Sequence, residues 1–183
     1  MAEPSNLKDE AKRSLIFTYG SLKRGFPNHT LTQDLISHKD AAYVGDFVTH
    51  QPIPLVIGPY GIPYIINDLP GSGHRIKGEL YTVTGPGLVR LDDLEGIAIG
   101  HYERLPIQVV RDLNDDDDDV VSAEAYFAHR SFGHALWERN GRESLREYSE
   151  IEGRRLVMKQ DRPDHGRSIL EDIRLFLASS DGK

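Results

Sequence analysis

Two short stretches of the chain hold residues whose types and spacing can do chemistry. The first, Tyr19-Gly20-Ser21-Leu22-Lys23-Arg24-Gly25-Phe26-Pro27-Asn28-His29, joins two glycines, a hydroxyl and clustered donors to the end of a β-branched, aromatic run. Such a loop can turn successive backbone N–H groups toward an anion, because Gly20 and Gly25 tolerate positive φ and close approach. It is not a P-loop, since no Gly-Lys-Ser/Thr follows at the required spacing, and an ordinary strand-end loop is the alternative. The second stretch is Leu91-Asp92-Asp93-Leu94-Glu95-Gly96. On a helix, Leu91 and Leu94 face inward, Asp92 and Asp93 point largely to water, and Glu95 falls at the edge of the core. The negative helix end, two nearby carboxylates and partial burial each disfavour ionisation. A raised pKa is therefore expected for Glu95, as suits a general base that must also act as an acid near neutrality. A solvated carboxylate on a surface helix is the alternative.

Other chemistries are poorly served. The 183 residues include no cysteine, which excludes disulfides, thiolate metal sites and cysteine nucleophiles. His129 and His134 lack a third ligand at fixed spacing, the Asp115–Asp119 run lacks the pattern of a calcium loop, and Ser21 lacks the flanking glycines of a nucleophile elbow. No metal and no cofactor are expected. The net charge of −7 is concentrated: without Asp112 and Asp115–Asp119, the 22 basic residues face 23 acidic ones. No half of the chain then has the single-sign field of a nucleic-acid binder. The longest uncharged run, Phe47 to Asn67, is broken by Pro52, Pro54, Pro59 and Pro63, so no membrane span is expected. Met1–Arg13 is polar and reads as a flexible tail without a secretory signal. A cytoplasmic monomer with a small-molecule ligand is the resulting expectation.

These residues need elements to hold them. Leu15–Tyr19 reads as a buried first strand stopped by Gly20, and Ala42–Thr49, Gly61–Asn67 and Arg75–Val83 as further strands. Pro70-Gly71-Ser72-Gly73 is a turn. Thr30–Ile36 predicts a short helix, and Pro86–Glu95 a stronger one, with Pro86 in its first turn and Gly96 at its end. Tyr102–Arg111 and Val120–His129 alternate as two long strands of a hairpin with the Asp-rich run at its exposed tip. Phe132–Tyr148 carries only weak helical periodicity, and Arg142–Arg155 reads as an ion-paired surface. Ser168 to Glu171 has capping-box spacing, and Ile169, Leu170, Ile173, Phe176 and Leu177 form one face of a closing helix. Strands first, with helices inserted and appended, imply an α+β fold whose sheet curls toward a barrel.

Taken together, the first loop with Pro54-Leu55-Val56-Ile57, Leu69-Pro70-Gly71-Ser72-Gly73, Gly78-Glu79-Leu80-Tyr81, Leu91-Asp92-Asp93-Leu94-Glu95 and Tyr102-Glu103-Arg104 resembles the gamma-glutamyl cyclotransferase-like superfamily, most closely its gamma-glutamylamine branch. The resemblance covers residues 14–130, between the tail at 1–13 and a C-terminal extension at 131–183. It implies a mixed β-barrel of about five to seven strands with flanking helices, and Glu95 as catalytic acid/base. Tyr19, Gly20, Ser21 and Leu22 then hold the glutamyl end of the substrate through main-chain N–H groups, with Tyr102 as a further substrate-binding position or a plain core aromatic. Ser21 stands where the amine-specific relatives usually have threonine, which keeps the hydroxyl. The implied reaction closes a γ-glutamyl group on its own amide, giving 5-oxoproline and a free amine. The same chemistry on γ-glutamyl amino acids or glutathione is an alternative. A non-catalytic binding or signalling module is another. The extension is expected to reshape the entrance to the site.

Overall fold

The computed structural model describes residues 13–112 and 119–179. Seven strands form one sheet: β1 (Ser14–Thr18), β2 (Ala41–Thr49), β3 (Leu55–Ile57), β4 (Pro63–Ile65), β5 (Lys77–Val83), β6 (Tyr102–Arg111) and β7 (Val121–Ala128). Their order is β1-β5-β2-β6-β7-β4-β3, and a parallel contact between Ile16 and Glu124 joins β1 to β7, closing five strands into a mixed barrel. Among the described residues, five helices flank it: α1 (His29–Ser37), α2 (Gly85–Glu95), α3 (Gly133–Arg139), α4 (Glu150–Arg155) and α5 (Ile169–Ala178). The period-2 pattern separates two cores. Phe17, Phe47, Leu80, Val109 and Phe127, one from each barrel strand, belong to one cluster. Their neighbours Ile16, Tyr81, Val83 and Tyr126 face the other way and join Leu35, Leu91, Leu136 and Ile173 of the helices.

β7 has an unusual edge. One side pairs with β6 from Tyr102↔Ala128 to Val109↔Val121, while the other is shared by β1 at Glu124 and β4 at Phe127. The two short strands diverge there, and Tyr19 fills the fork. Its hydroxyl donates to the Tyr126 carbonyl at 2.7 Å and accepts from the Ile65 N–H at 3.4 Å. Closing the barrel thus fixes where the first loop begins.

Several boundaries depart from the sequence pattern. β3 was not foreseen, because Pro52, Pro54 and Pro59 make that stretch look broken; as an edge strand paired only to β4, it tolerates flanking prolines. The strand expected over Gly61–Asn67 shrinks to Pro63–Ile65, and that expected from Arg75 begins at Lys77. α4 was also unforeseen; a capping box between Ser149 and Glu152 starts it. α2 matches its prediction, with Thr84 accepting from the Gly87 N–H and Gly96 closing the helix at φ 66°. The Asp-rich tip at 113–118 and the tail at 1–12 lie outside the described residues.

Candidate active site

The loop after β1 is held by its carbonyls. Gly20 C=O accepts from the Lys23 N–H at 3.2 Å, Ser21 C=O from the Asn28 N–H at 2.9 Å, and Leu22 C=O from the Thr32 hydroxyl at 3.2 Å. The His29 Nδ1 also lies 2.8 Å from Leu22 C=O. The N–H groups of Gly20, Ser21 and Leu22 donate to no protein acceptor among the described residues. Side chains brace the same loop. Asn28 Nδ2 donates to Ser21 Oγ at 2.8 Å, and the buried Glu79 accepts from the Arg24 N–H at 2.8 Å, from Arg24 Nε at 2.6 Å and from the Tyr81 hydroxyl at 3.0 Å. Gly20 is required by space: a Cβ there would lie 2.8 Å from Pro63 Cγ.

Glu95 ends α2 and shares one cavity of about 810 Å³ with Tyr19, Gly20, Ser21, Leu22 and Tyr102. The residue as a whole is half-buried, and protein surrounds its carboxyl, so lost hydration raises its pKa to about 8. The Asp92 carboxylate, one turn earlier, adds to the rise. The expectation that Asp92 points to water is corrected here. It accepts from the Tyr126 hydroxyl at 2.7 Å and from Arg104, whose Nε also meets Glu124 at 3.3 Å. That network pins the last turn of α2 to β6 and β7. Leu94, expected inward, is instead 41% exposed and lines the same cavity as Glu95.

Phenols crowd the carboxyl. Burial raises the pKa values of Tyr19, Tyr64, Tyr102 and Tyr126, and the Glu95 charge pushes each the same way. Tyr102 lines the cavity, stacks on Tyr64 at 5.0 Å between ring centroids and donates its hydroxyl to Pro63 C=O at 2.7 Å. Its proton is therefore committed to the wall. Tyr19 is likewise committed through its hydroxyl, so what it offers the cavity is a ring face. His101, absent from the sequence reading, also lines the cavity and pairs with the Tyr64 hydroxyl at 2.7 Å. Burial, then the nearby Arg162 charge, lowers its pKa to about 4, leaving a neutral imidazole.

The C-terminal extension builds the outer wall with Leu156, Met158, Arg162 and Ile169. It is also tied to the first loop. The buried Lys23 donates from Nζ to Tyr148 C=O at 2.7 Å and stands 4.5 Å from the Phe26 ring centroid, and Phe26 packs on Tyr148 at 5.7 Å. Glu79 could have been found from sequence, as a carboxylate inside a strand buried on both faces. Asp92, His101 and Arg162 carried no such signal.

A barrel with a carboxyl and a loop of free N–H groups on one cavity defines a class, and comparison with known proteins names it. Residues 16–150 match the model of the family described as gamma-glutamyl cyclotransferase, AIG2-like. The chain is 46% identical over 178 residues to an Arabidopsis thaliana protein provisionally named a gamma-glutamylcyclotransferase, covering 92% of this chain and 94% of that one. It is 42% identical over 113 residues to a Mus musculus gamma-glutamylaminecyclotransferase, covering 61% of this chain and 74% of that one. The crystal structure of a Mus musculus AIG2-like protein superposes with a TM-score of 0.63 at 31% identity, over 85% of this chain and 99% of that one. The chain belongs to the gamma-glutamyl cyclotransferase, AIG2-like family and is an enzyme of that kind. The plant relative reaches too far to omit more than a small part of residues 131–183, so most of the extension is shared with it. Among the described residues no helix is long and apolar enough to cross a membrane.

Proposed function

We propose that the protein cyclises a γ-glutamylamine to 5-oxoproline with release of the amine, and that Glu95 is its acid/base. One observation carries this reading: Glu95 lines the same cavity as Gly20, Ser21 and Leu22, whose N–H groups donate to no protein acceptor among the described residues. The N–H groups suit the anionic end of a glutamyl group, and Ser21 Oγ, held by Asn28, offers a further polar contact. The substrate's α-nitrogen attacks its own side-chain amide carbonyl; a C–N bond forms to close the five-membered ring and the original amide C–N bond breaks. The α-nitrogen passes from three hydrogens to one and the leaving nitrogen from one to three, so two protons cross the site, each relayed by Glu95. A carboxyl with a pKa near 8 is well matched to an α-ammonium donor. Because nucleophile and electrophile belong to one molecule, holding it folded supplies much of the rate.

The choice of an amine over an amino acid as leaving group rests on likeness to the gamma-glutamylaminecyclotransferases. A reducing compartment such as the cytoplasm suits a chain without cysteine. The test is 5-oxoproline release from γ-glutamyl-ε-lysine, γ-glutamyl-alanine and glutathione by the wild type and Glu95→Gln. The expected result is turnover of the first, with kcat about 1,000-fold lower in the variant. Equal activity of the two proteins removes Glu95 from the mechanism. No turnover of any compound, with heat stabilisation by 5-oxoproline, makes the protein a binding module.

A further inference from the structure

The wall contributed by the C-terminal extension carries charges of both signs. Lys159, Arg162, His165 and Arg167 all line the cavity. Arg167 is answered locally: Asp172 meets its Nε at 3.0 Å, lies 3.6 Å from His165 Nε2 and also accepts from the Tyr60 hydroxyl at 2.9 Å. Arg162 is different. Its Nε donates to Val157 C=O at 3.2 Å and its guanidinium carbon stands 5.1 Å from the Tyr60 ring centroid, so the group is oriented. Yet among the described residues it makes no ion pair, and its Nη groups donate to no protein acceptor. A planar fork fixed at its Nε, half-buried and facing a cavity, has the geometry that receives a carboxylate through two parallel hydrogen bonds.

Its place in the cavity gives it a role. The Arg162 charge acts on His101 and Tyr64, and the Glu95 charge acts on Tyr64, Tyr19, Tyr102 and Tyr126. Arg162 and Glu95 line the same cavity, and both charges reach Tyr64. A substrate whose scissile amide sits at Glu95, with its glutamyl end on the first loop, leaves the rest of the cavity wall, to which Arg162 belongs, for its leaving group. Asp164, also on that rim, offers an acceptor for an ammonium beside such a carboxylate.

We propose that Arg162 is a specificity-determining residue that binds a carboxylate on the leaving amine, so that the enzyme selects an amino acid joined through its side-chain amine over the corresponding plain amine. This rests on the cyclotransferase reading above. The test compares γ-glutamyl-ε-lysine with γ-glutamyl-cadaverine, which differ only by that carboxylate, in the wild type, Arg162→Gln and Arg162→Lys. The wild type is expected to favour the lysine compound by about 10- to 100-fold in kcat/KM, mostly through KM, as befits a charge-assisted contact remote from the reacting atoms. Arg162→Gln is expected to erase the preference while changing the cadaverine compound less than about twofold, and Arg162→Lys to retain part of it. Equal use of the two compounds by the wild type overturns the role of Arg162 and leaves the cyclotransferase reading intact. So does an Arg162→Gln variant that slows both alike. If the wild type releases 5-oxoproline from neither, both readings fall together.

Discussion

The barrel with its first loop and the C-terminal extension meet at one cavity but are built differently. On the barrel side, buried polar groups are paired: Glu79 with Arg24 and Tyr81, Asp92 with Arg104 and Tyr126, Tyr102 with Pro63, and Tyr19 with Tyr126. On the extension side, short helices and turns present a charged rim in which Arg162 makes no ion pair among the described residues. Paired networks in a packed interior hold atoms still, which a reaction centre needs. On the two proposals above, the chemistry falls to the barrel and the choice of leaving group to the extension.

The sharpest way to test that division is at Gly20. Its Cβ would collide with Pro63, so Gly20→Ala is expected to displace the loop N–H groups and lower kcat/KM by about 100-fold, with the fold retained by circular dichroism. A fully active variant would mean that the loop does not position the substrate. Tyr148 tests whether the two regions are one structural unit. It is fully buried, its hydroxyl donates to Gly61 C=O at 3.1 Å, and its carbonyl holds Lys23. Tyr148→Ala is expected to cost about 3–5 kcal/mol in urea unfolding. A loss below about 1 kcal/mol would make the extension an accessory.

Two smaller effects follow from Glu95. In its proposed role of base Glu95 must be ionised, so kcat/KM is expected to rise with pH and level off above about 8. Between its unfolded value of 4.5 and about 8 the native state binds the extra proton, so this group makes the protein less stable as pH rises. Melting curves of the wild type are therefore expected to fall relative to Glu95→Gln across that window, and parallel curves would place the carboxyl in water. Asp92→Asn is the gentlest change. Removing the neighbouring negative charge lowers the Glu95 pKa, which moves the rising limb to lower pH, while the plateau rate changes by less than about tenfold. An unmoved limb would assign it to another group.

Much of the barrel was legible because its signals are local. Pro86 and Gly96 delimit α2 by local backbone chemistry, and the alternation in β6 and β7 is long enough to read. β3 escaped because three residues between prolines carry no pattern, and α4 because six residues contain less than two turns. At the site, Glu95 and the first loop stood out by residue type. Asp92 did not, since its helical position predicts water and only the approach of Arg104 and Tyr126 from two strands turns it inward.

The order of residues alone determined that a glycine-bearing loop follows the first strand and that Glu95 closes a helix, because both are consequences of backbone conformation within a few residues. Only the tertiary structure decided that they share a cavity, that His101 is neutral there, and that Arg162 faces the same space from residues 131–183. Those are properties of distance and lost hydration, and they come into being when segments far apart in sequence exclude water together.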